Sequence, residues 1–293
     1  MLIILYINCN DIIYIYKIMS ELKTVGCKYI NGNIIVHHTA GFFSTCNIIL
    51  LAIIKYYNYY NKFPNDIDMC NTFDWYKNDD EINIDISKEY FKICENNTFI
   101  LNSRDIPFQH TYQFKNYKKL IDYENILPII EHYFSPSDNI LRTVEMLEKK
   151  YNIDYNNTCA VFFRGNDKCS ETKLTSPEEY VKKIDNNILS KNKDIKLLIQ
   201  SDQTEFIEYM TDYYKNSFYM KDEIRHMKFK KSGTVDFKYK KTNNEYSKYF
   251  LAIVIIMSKC KYVICGSGNI SLWITFFRKN TNNFYQHLNN VWY

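Results

Sequence analysis

From Cys159 to Phe277 the chain alternates short apolar runs of strand type with helical stretches, and this rhythm constrains the fold more than any other feature. Cys159-Ala-Val-Phe-Phe163 is wholly apolar, with two aromatic residues and one β-branched residue, the make-up of a short buried strand. It stops at Arg164-Gly-Asn-Asp167-Lys168. Ser176-Pro177-Glu-Glu179 then places serine at an N-cap, proline at the first helical position and acids in the first turn, which predicts a helix to about Leu189. Ile195–Ile199 is a second strand ending at Ser201-Asp202, and Thr204 caps a helix to about Tyr214. Beyond a polar stretch at 215–245, a helix over Tyr246–Lys259 leads to a third strand, Tyr262–Cys265. That strand enters Gly266-Ser-Gly-Asn269 and a helix from about Ile270 to Phe277. Strands and helices in this order predict a parallel sheet with right-handed crossovers.

The first half is less regular. Gly32-Asn33 leads into a strand at Ile34–Val36, a loop follows from His37 to Ser44, and Ser44 caps an apolar helix from Thr45 to about Tyr57. Residues 64–110 mix short apolar runs with Asn- and Asp-rich turns and give no clear period. Residues 124–150 are helical, with Pro128 opening a first helix, a break at Ser135-Pro-Ser-Asp138 and a second helix from Ile140 to Lys150. The chain of 293 residues is therefore expected to be α/β, with an N-terminal domain at 1–135, a C-terminal domain at 136–293 and a ligand in the cleft between them.

Composition narrows the function classes. Tyr occurs 27 times against 7 Gly and 5 Pro, a bias expected of an AT-rich genome such as that of a giant virus, so aromatic richness carries no functional weight. A net charge of +4 is small for a nucleic-acid binder, so the Lys/aromatic clusters Lys228-Phe-Lys-Lys231 and Lys238-Tyr-Lys-Lys241 read as solvated faces before they read as an RNA surface. The 9 cysteines include no Cys-x-x-Cys pair, which argues against a disulfide framework or zinc site and for a reducing, cytoplasmic setting. Sequons begin at Asn96, Asn156 and Asn269, as chance allows in so Asn-rich a chain. The apolar N-terminus is broken by Asn8, Asn10 and Asp11, so a first strand with a hairpin is expected there rather than a membrane span, with Met19-Ser20 as another possible start.

Three strand ends converge on one sheet edge, where ligands of such sheets bind. They carry Arg164, Asp167 and Lys168; Ser201 and Asp202; and Ser267, Gly268 and Asn269 before a helix. An invariably charged guanidinium beside a lysine suits a phosphorylated ligand, and the glycine turn offers helix amides to it. Each feature has an ordinary alternative. Arg164 pairs equally well with Asp167 or Glu171, Asp202 with its own turn, and Gly266-Ser-Gly268 lacks the third glycine of a dinucleotide fingerprint. His37-His38 reads as a structural pair in a loop.

Phe163-Arg164-Gly-Asn-Asp167-Lys168, then Glu171, then Ser176-Pro-Glu-Glu-Tyr180 resembles the donor-binding signature of the α-1,6-fucosyltransferase group, relatives of the nodulation fucosyltransferases. The likeness in order and spacing runs over about residues 159–277 and takes in Asp202 and the turn from Cys265 to Ser271. It departs at Gly165, where the family has a second arginine, at a spacing to Glu171 one residue shorter, and near Ala252, where a helix acid has no equivalent. The resemblance implies two Rossmann-like domains of the GT-B type, acceptor side first and donor side second. It also implies inverting transfer of fucose from GDP-fucose, or of a sugar from another nucleotide sugar, to a glycan or glycoprotein hydroxyl without an obligatory metal or other cofactor. Arg164 would hold the β-phosphate and Glu171 would act as general base. Asp167, Lys168 and Ser201 would belong to the donor site, Tyr180 would line it, Asp202 would contact the guanosine, and Ser267, Gly268 and Asn269 would meet the diphosphate. The rivals are a metal-dependent transferase using Asp66-Ile-Asp68 and a non-catalytic nucleotide-sugar or RNA-binding module.

Overall fold

The computed structural model describes residues 25–93, 101, 105–120, 123–238 and 243–293. The N-terminal apolar stretch, Met19-Ser20, the Asn96 sequon and Lys240-Lys241 lie outside these residues. The molecule is mixed α/β. Its larger sheet is built from strands β4 (Thr158–Phe163), β5 (Lys196–Ser201), β6 (Ser217–Phe218), β7 (Tyr262–Gly266), β8 (Phe284–Leu288) and β9 (Val291–Trp292). The spatial order is β9-β8-β7-β4-β5-β6, parallel except for the final β8–β9 pair. The chain therefore builds outward from β4 through β5 to β6 and then crosses back to β7 on the other side of β4. That reversal is a topological switch point, and it leaves a crevice beyond the carboxyl ends of β4 and β7. Register locks those ends together, with Phe163 opposite Ser201 and Phe162 opposite Cys265.

Every residue of β4 is buried, as a central parallel strand covered on both faces must be. Alternation divides its side chains. Cys159, Val161 and Phe163 pack with α4 (Pro177–Ile184) and α5 (Thr204–Tyr213), while Ala160 and Phe162 face α6 (Asn243–Lys259) and α7 (Asn269–Arg278). The helix opened by Ser176 starts as expected, with the Ser176 side chain accepting from the Glu179 amide, and passes into a π turn over Asp185–Leu189.

The first half contributes β1 (Cys27–Ile30), β2 (Asn33–His38) and β3 (Ile67–Thr72), with β1–β2 antiparallel and β2–β3 parallel. Asn31 and Gly32, both at positive φ, form the two-residue turn between β1 and β2, a hairpin chemistry that reading from Gly32 onward passes over. Helix α1 (Phe42–Tyr60) starts earlier than the Ser44 cap predicts. Gly41 is the N-cap, and the hydroxyl of the distant Tyr76 accepts from the Phe42 amide at 2.7 Å in place of a local side chain. Pro128 lies inside α2 (Tyr123–Tyr133) rather than at its start, and Ser137 caps α3 (Asp138–Tyr151).

Both halves share one core on the α1 side of the large sheet. Phe43 meets Trp273 with ring centroids 5.8 Å apart, and Phe134 meets the same indole at 4.8 Å. Fully buried Asn47 accepts from the Trp273 indole at 2.8 Å and donates to Asn269 at 2.7 Å. Among the described residues no helix is long and apolar enough to cross a membrane.

Candidate functional site

A cleft of about 260 Å³ opens at the switch point. Its walls come from the loop before and into α1 (Ala40–Ser44), the Arg164–Glu171 loop after β4, the start of α7, and Trp75, His110, Gln113, Thr234 and Asp236.

Arg164 borders the cleft because Asp202 holds it there. The Asp202 carboxylate accepts from an Arg164 Nη, from the Gly165 amide at 2.7 Å and from Asn166 Nδ2 at 2.9 Å. The second Arg164 Nη donates to Asp167 Oδ1 at 2.6 Å. Asn166, in the left-handed region at φ 46°, is fully buried and accepts from the Lys230 amide at 2.9 Å. A side chain at Gly165 would place its Cβ 2.2 Å from Gln203 Oε1 and 2.9 Å from the Phe163 ring, so a second arginine would have to displace the Gln203 side chain and shift that ring. Asp202 thus spends its oxygens on shaping the loop. The paired alternative weighed for Arg164 is present, and it fixes the guanidinium where it borders the cleft.

Lys168 is buried, with Nζ donating to Gln113 Oε1 at 3.0 Å and to Glu171 Oε2 at 2.7 Å and lying 4.7 Å from the Phe114 ring centre. Burial lowers its pKa from the ordinary lysine value, and the hydrogen bond to Glu171 opposes that shift. Glu171 remains the exposed partner, at the rim. His110 sits near this pair, and His38 lies behind the lining residue Ser44, its Nε2 3.4 Å from Ser44 Oγ. Burial pulls both imidazoles below 6.5, with His110 adding to the effect on His38. Asp236 faces Arg164, Arg225 and Tyr76, and burial raises its carboxyl above the usual range.

The α7 turn divides the expected phosphate ligands. Gly268 and Asn269 line the cleft, and a Cβ at Gly268 would come 3.2 Å from Lys168 Cε, so this glycine permits the close approach of loop and helix. The Gly268 amide is already shared with the Tyr117 hydroxyl at 3.2 Å. Ser267 is turned away, donating to the His287 carbonyl at 2.8 Å and accepting from Gln286 Nε2 at 2.8 Å. Tyr180 does not line the cleft either. It is fully buried beneath it with its hydroxyl on the Phe162 carbonyl at 3.0 Å, because the face of α4 that carries Tyr180, Val181 and Ile184 is what covers the sheet. Ser201 is buried and caps the Gln203 amide at 3.0 Å.

No protein-family model and no curated protein matches the chain.

Asp66 and Asp68 stand at the amino end of β3, whereas the cleft lies beyond the carboxyl end of the parallel β2. Asp68 accepts from the Cys70 amide at 2.9 Å, and Asp66 lines a separate groove with His132. Among the described residues no group of three His, Cys, Asp or Glu side chains is gathered for a metal ion. Lys228, Phe229 and Lys230 border a shallow groove that shares Trp75 and Thr234 with the cleft. Gln113, His110 and Asp236 reach the site from stretches with no periodicity and no motif, so only their place in the fold marks them.

Proposed function

We propose that the chain is a glycosyltransferase that binds a nucleotide-sugar donor with its diphosphate on Arg164 and at the start of α7. The observation that carries this is the braced guanidinium at the switch point of a parallel sheet, opposite a helix amino end and open to a cleft shared by both halves. Those features suit a group carrying two phosphates. The resemblance of 163–180 supports fucose from GDP-fucose as donor sugar, inversion at the anomeric carbon, no obligatory metal, and an acceptor hydroxyl on a glycan or glycoprotein. On this proposal residues 1–135 and 136–293 are the acceptor and donor domains of a GT-B arrangement in a cytoplasmic enzyme.

The chemistry follows from charge. As the anomeric C–O bond to the β-phosphate breaks, negative charge grows on the departing oxygen, and a guanidinium already fixed by Asp202 and Asp167 stabilises it without reorganising. Glu171 takes the proton from the acceptor hydroxyl as that oxygen bonds to the sugar. Its hydrogen bond to Lys168 keeps the carboxylate at the rim, where an acceptor enters. The Asp66/Asp68 metal alternative draws no support from residues at the far end of β3.

Titrating the protein with GDP-fucose, GDP-mannose, UDP-glucose and UDP-galactose, and following the melting temperature, tests the proposal, since a ligand at 100 times its Kd stabilises by about 2.7 kcal/mol. At least one donor is expected to raise the midpoint, and Arg164→Ala is expected to abolish that rise. A donor that binds the variant as well as the native chain would remove Arg164 from the site and the proposal with it.

A further inference from the structure

The groove bordered by Lys228, Phe229 and Lys230 has a volume of about 830 Å³ and meets the cleft at Trp75 and Thr234. That size lies within the range of ligand sites, about 300–1,000 Å³. Its lysine wall is held in place by the loops around Arg164. The Met227 amide donates to the Asp202 carbonyl at 3.0 Å, and the Met227 carbonyl accepts from the Thr204 amide at 2.9 Å. The Phe229 amide donates to the Glu205 carboxylate at 3.2 Å, and the Lys230 amide to Asn166. The Trp75 end is fixed too. Its carbonyl accepts from buried Asn243, whose own oxygen accepts from Arg225 at 3.1 Å. On either side, Asp74 accepts from the Thr39 hydroxyl at 2.9 Å and Tyr76 caps α1. A surface whose backbone is tied down in this way loses little freedom when it binds. It presents the half-buried Trp75, the Phe229 ring at 53% exposure and two exposed ammonium groups, and no acid lines the groove.

We propose that this groove receives the acceptor as an acidic oligosaccharide, with a sugar ring on Trp75 and carboxylate or sulfate groups on Lys228 and Lys230. The inference rests on the cleft being a nucleotide-sugar site. Trp75 belongs to both walls, so a chain resting on it runs from the groove into the cleft, where Glu171 stands at the rim. The C–H face of a pyranose is flat, apolar and slightly positive, and it settles on the electron-rich face of an indole. The lysines then select among sugars by charge, since a groove with two cations and no acid favours an anionic chain. A nucleic-acid strand carries a charge at every residue and calls for a longer track of cations than this lining offers. The transfer itself is unchanged. The acceptor oxygen bonds to the anomeric carbon, the bond from that carbon to the diphosphate breaks, and the hydroxyl proton goes to Glu171.

Calorimetric titration of the full chain with chitotetraose, a hyaluronan tetrasaccharide, a chondroitin sulfate tetrasaccharide and a short single-stranded RNA tests this. At least one acidic tetrasaccharide is expected to bind about tenfold or more tightly than the neutral one, as hydrogen bonds to charged groups allow. Lys228→Gln with Lys230→Gln is expected to remove that preference, while the native melting temperature and its rise with a nucleotide-sugar donor stay as they were. Trp75→Ala is expected to weaken the acidic and neutral chains alike. Equal binding of neutral and acidic chains, or an acidic preference that survives loss of both lysines, would overturn the proposal; a donor-induced rise in melting temperature would then leave the donor site standing. Binding of no tetrasaccharide would overturn it in the same way. RNA bound more tightly than either acidic chain, with a steep dependence on salt, would give the groove to nucleic acid instead. Absence of a donor-induced rise would remove the donor site and the acceptor role together.

Discussion

Asp202 does more for the site than its place outside the lining of the cleft suggests. It is nearly buried, and it holds Arg164, Gly165 and Asn166 at once. Replacing it with alanine leaves the Arg164 guanidinium without its main counter-charge, and breaking a buried pair in this way costs about 3–5 kcal/mol. Urea denaturation of Asp202→Ala should show a loss in that range, together with loss of donor binding. A variant of native stability would mean the brace is not structural. Arg164→Lys should fold normally yet bind the donor poorly, since an ammonium cannot keep Asp202, Asp167 and a phosphate in one planar fork. Glu171→Gln separates two roles. A base is expected to lose about 10²–10⁴-fold in turnover with donor affinity intact, whereas a mere partner for Lys168 would shift stability and leave turnover alone.

At the scale of elements, helix starts show what short-range chemistry can announce. Ser176 caps α4 as its neighbours predict, and Ser176→Ala should cost about 1 kcal/mol. Helix α1 is different. Ser44 looks like a cap, but the Phe42 amide is satisfied by Tyr76, more than thirty residues away. Tyr76→Phe is therefore expected to destabilise by about 1–3 kcal/mol, while Ser44→Ala should stay within about 0.5 kcal/mol. The opposite ranking in denaturant melts would return the cap to Ser44. The same contrast explains the site. Arg164 and the Gly266–Asn269 turn sit at ends of apolar runs and were legible, whereas Tyr180 carries the same motif and ends under the sheet, because motif spacing does not say which helix face is buried.

In the whole molecule, α1 and the strands before it pack into the core that also holds Trp273 and the inner face of the large sheet. Residues 136–293 made alone would expose that face, and they are expected to lack a cooperative melting transition. A sharp transition would instead support two independently folding domains. The histidines add a pH dependence. His38, His110, His226 and His287 are all held below 6.5, chiefly by burial. As pH falls through 6.5, the unfolded chain takes up protons that the folded chain refuses, so stability drops on acidification. Denaturation at pH 7.5 and 5.5 should show the lower value at 5.5, and His38→Gln with His110→Gln should flatten the slope.

The alternation from Cys159 to Phe277 and the convergence of three strand ends on one edge are written in local sequence, because period, caps and glycine turns act over a few residues. Tertiary structure alone decided the rest. It set the order of the strands, and hence the switch point beside Arg164. It turned Ser267 and Tyr180 away from the cleft, engaged Asp202 within its own loop, and brought His110, Gln113 and Asp236 in from stretches without pattern. Those outcomes depend on which groups find hydrogen-bond partners and which faces find cover, and the partners lie far away along the chain.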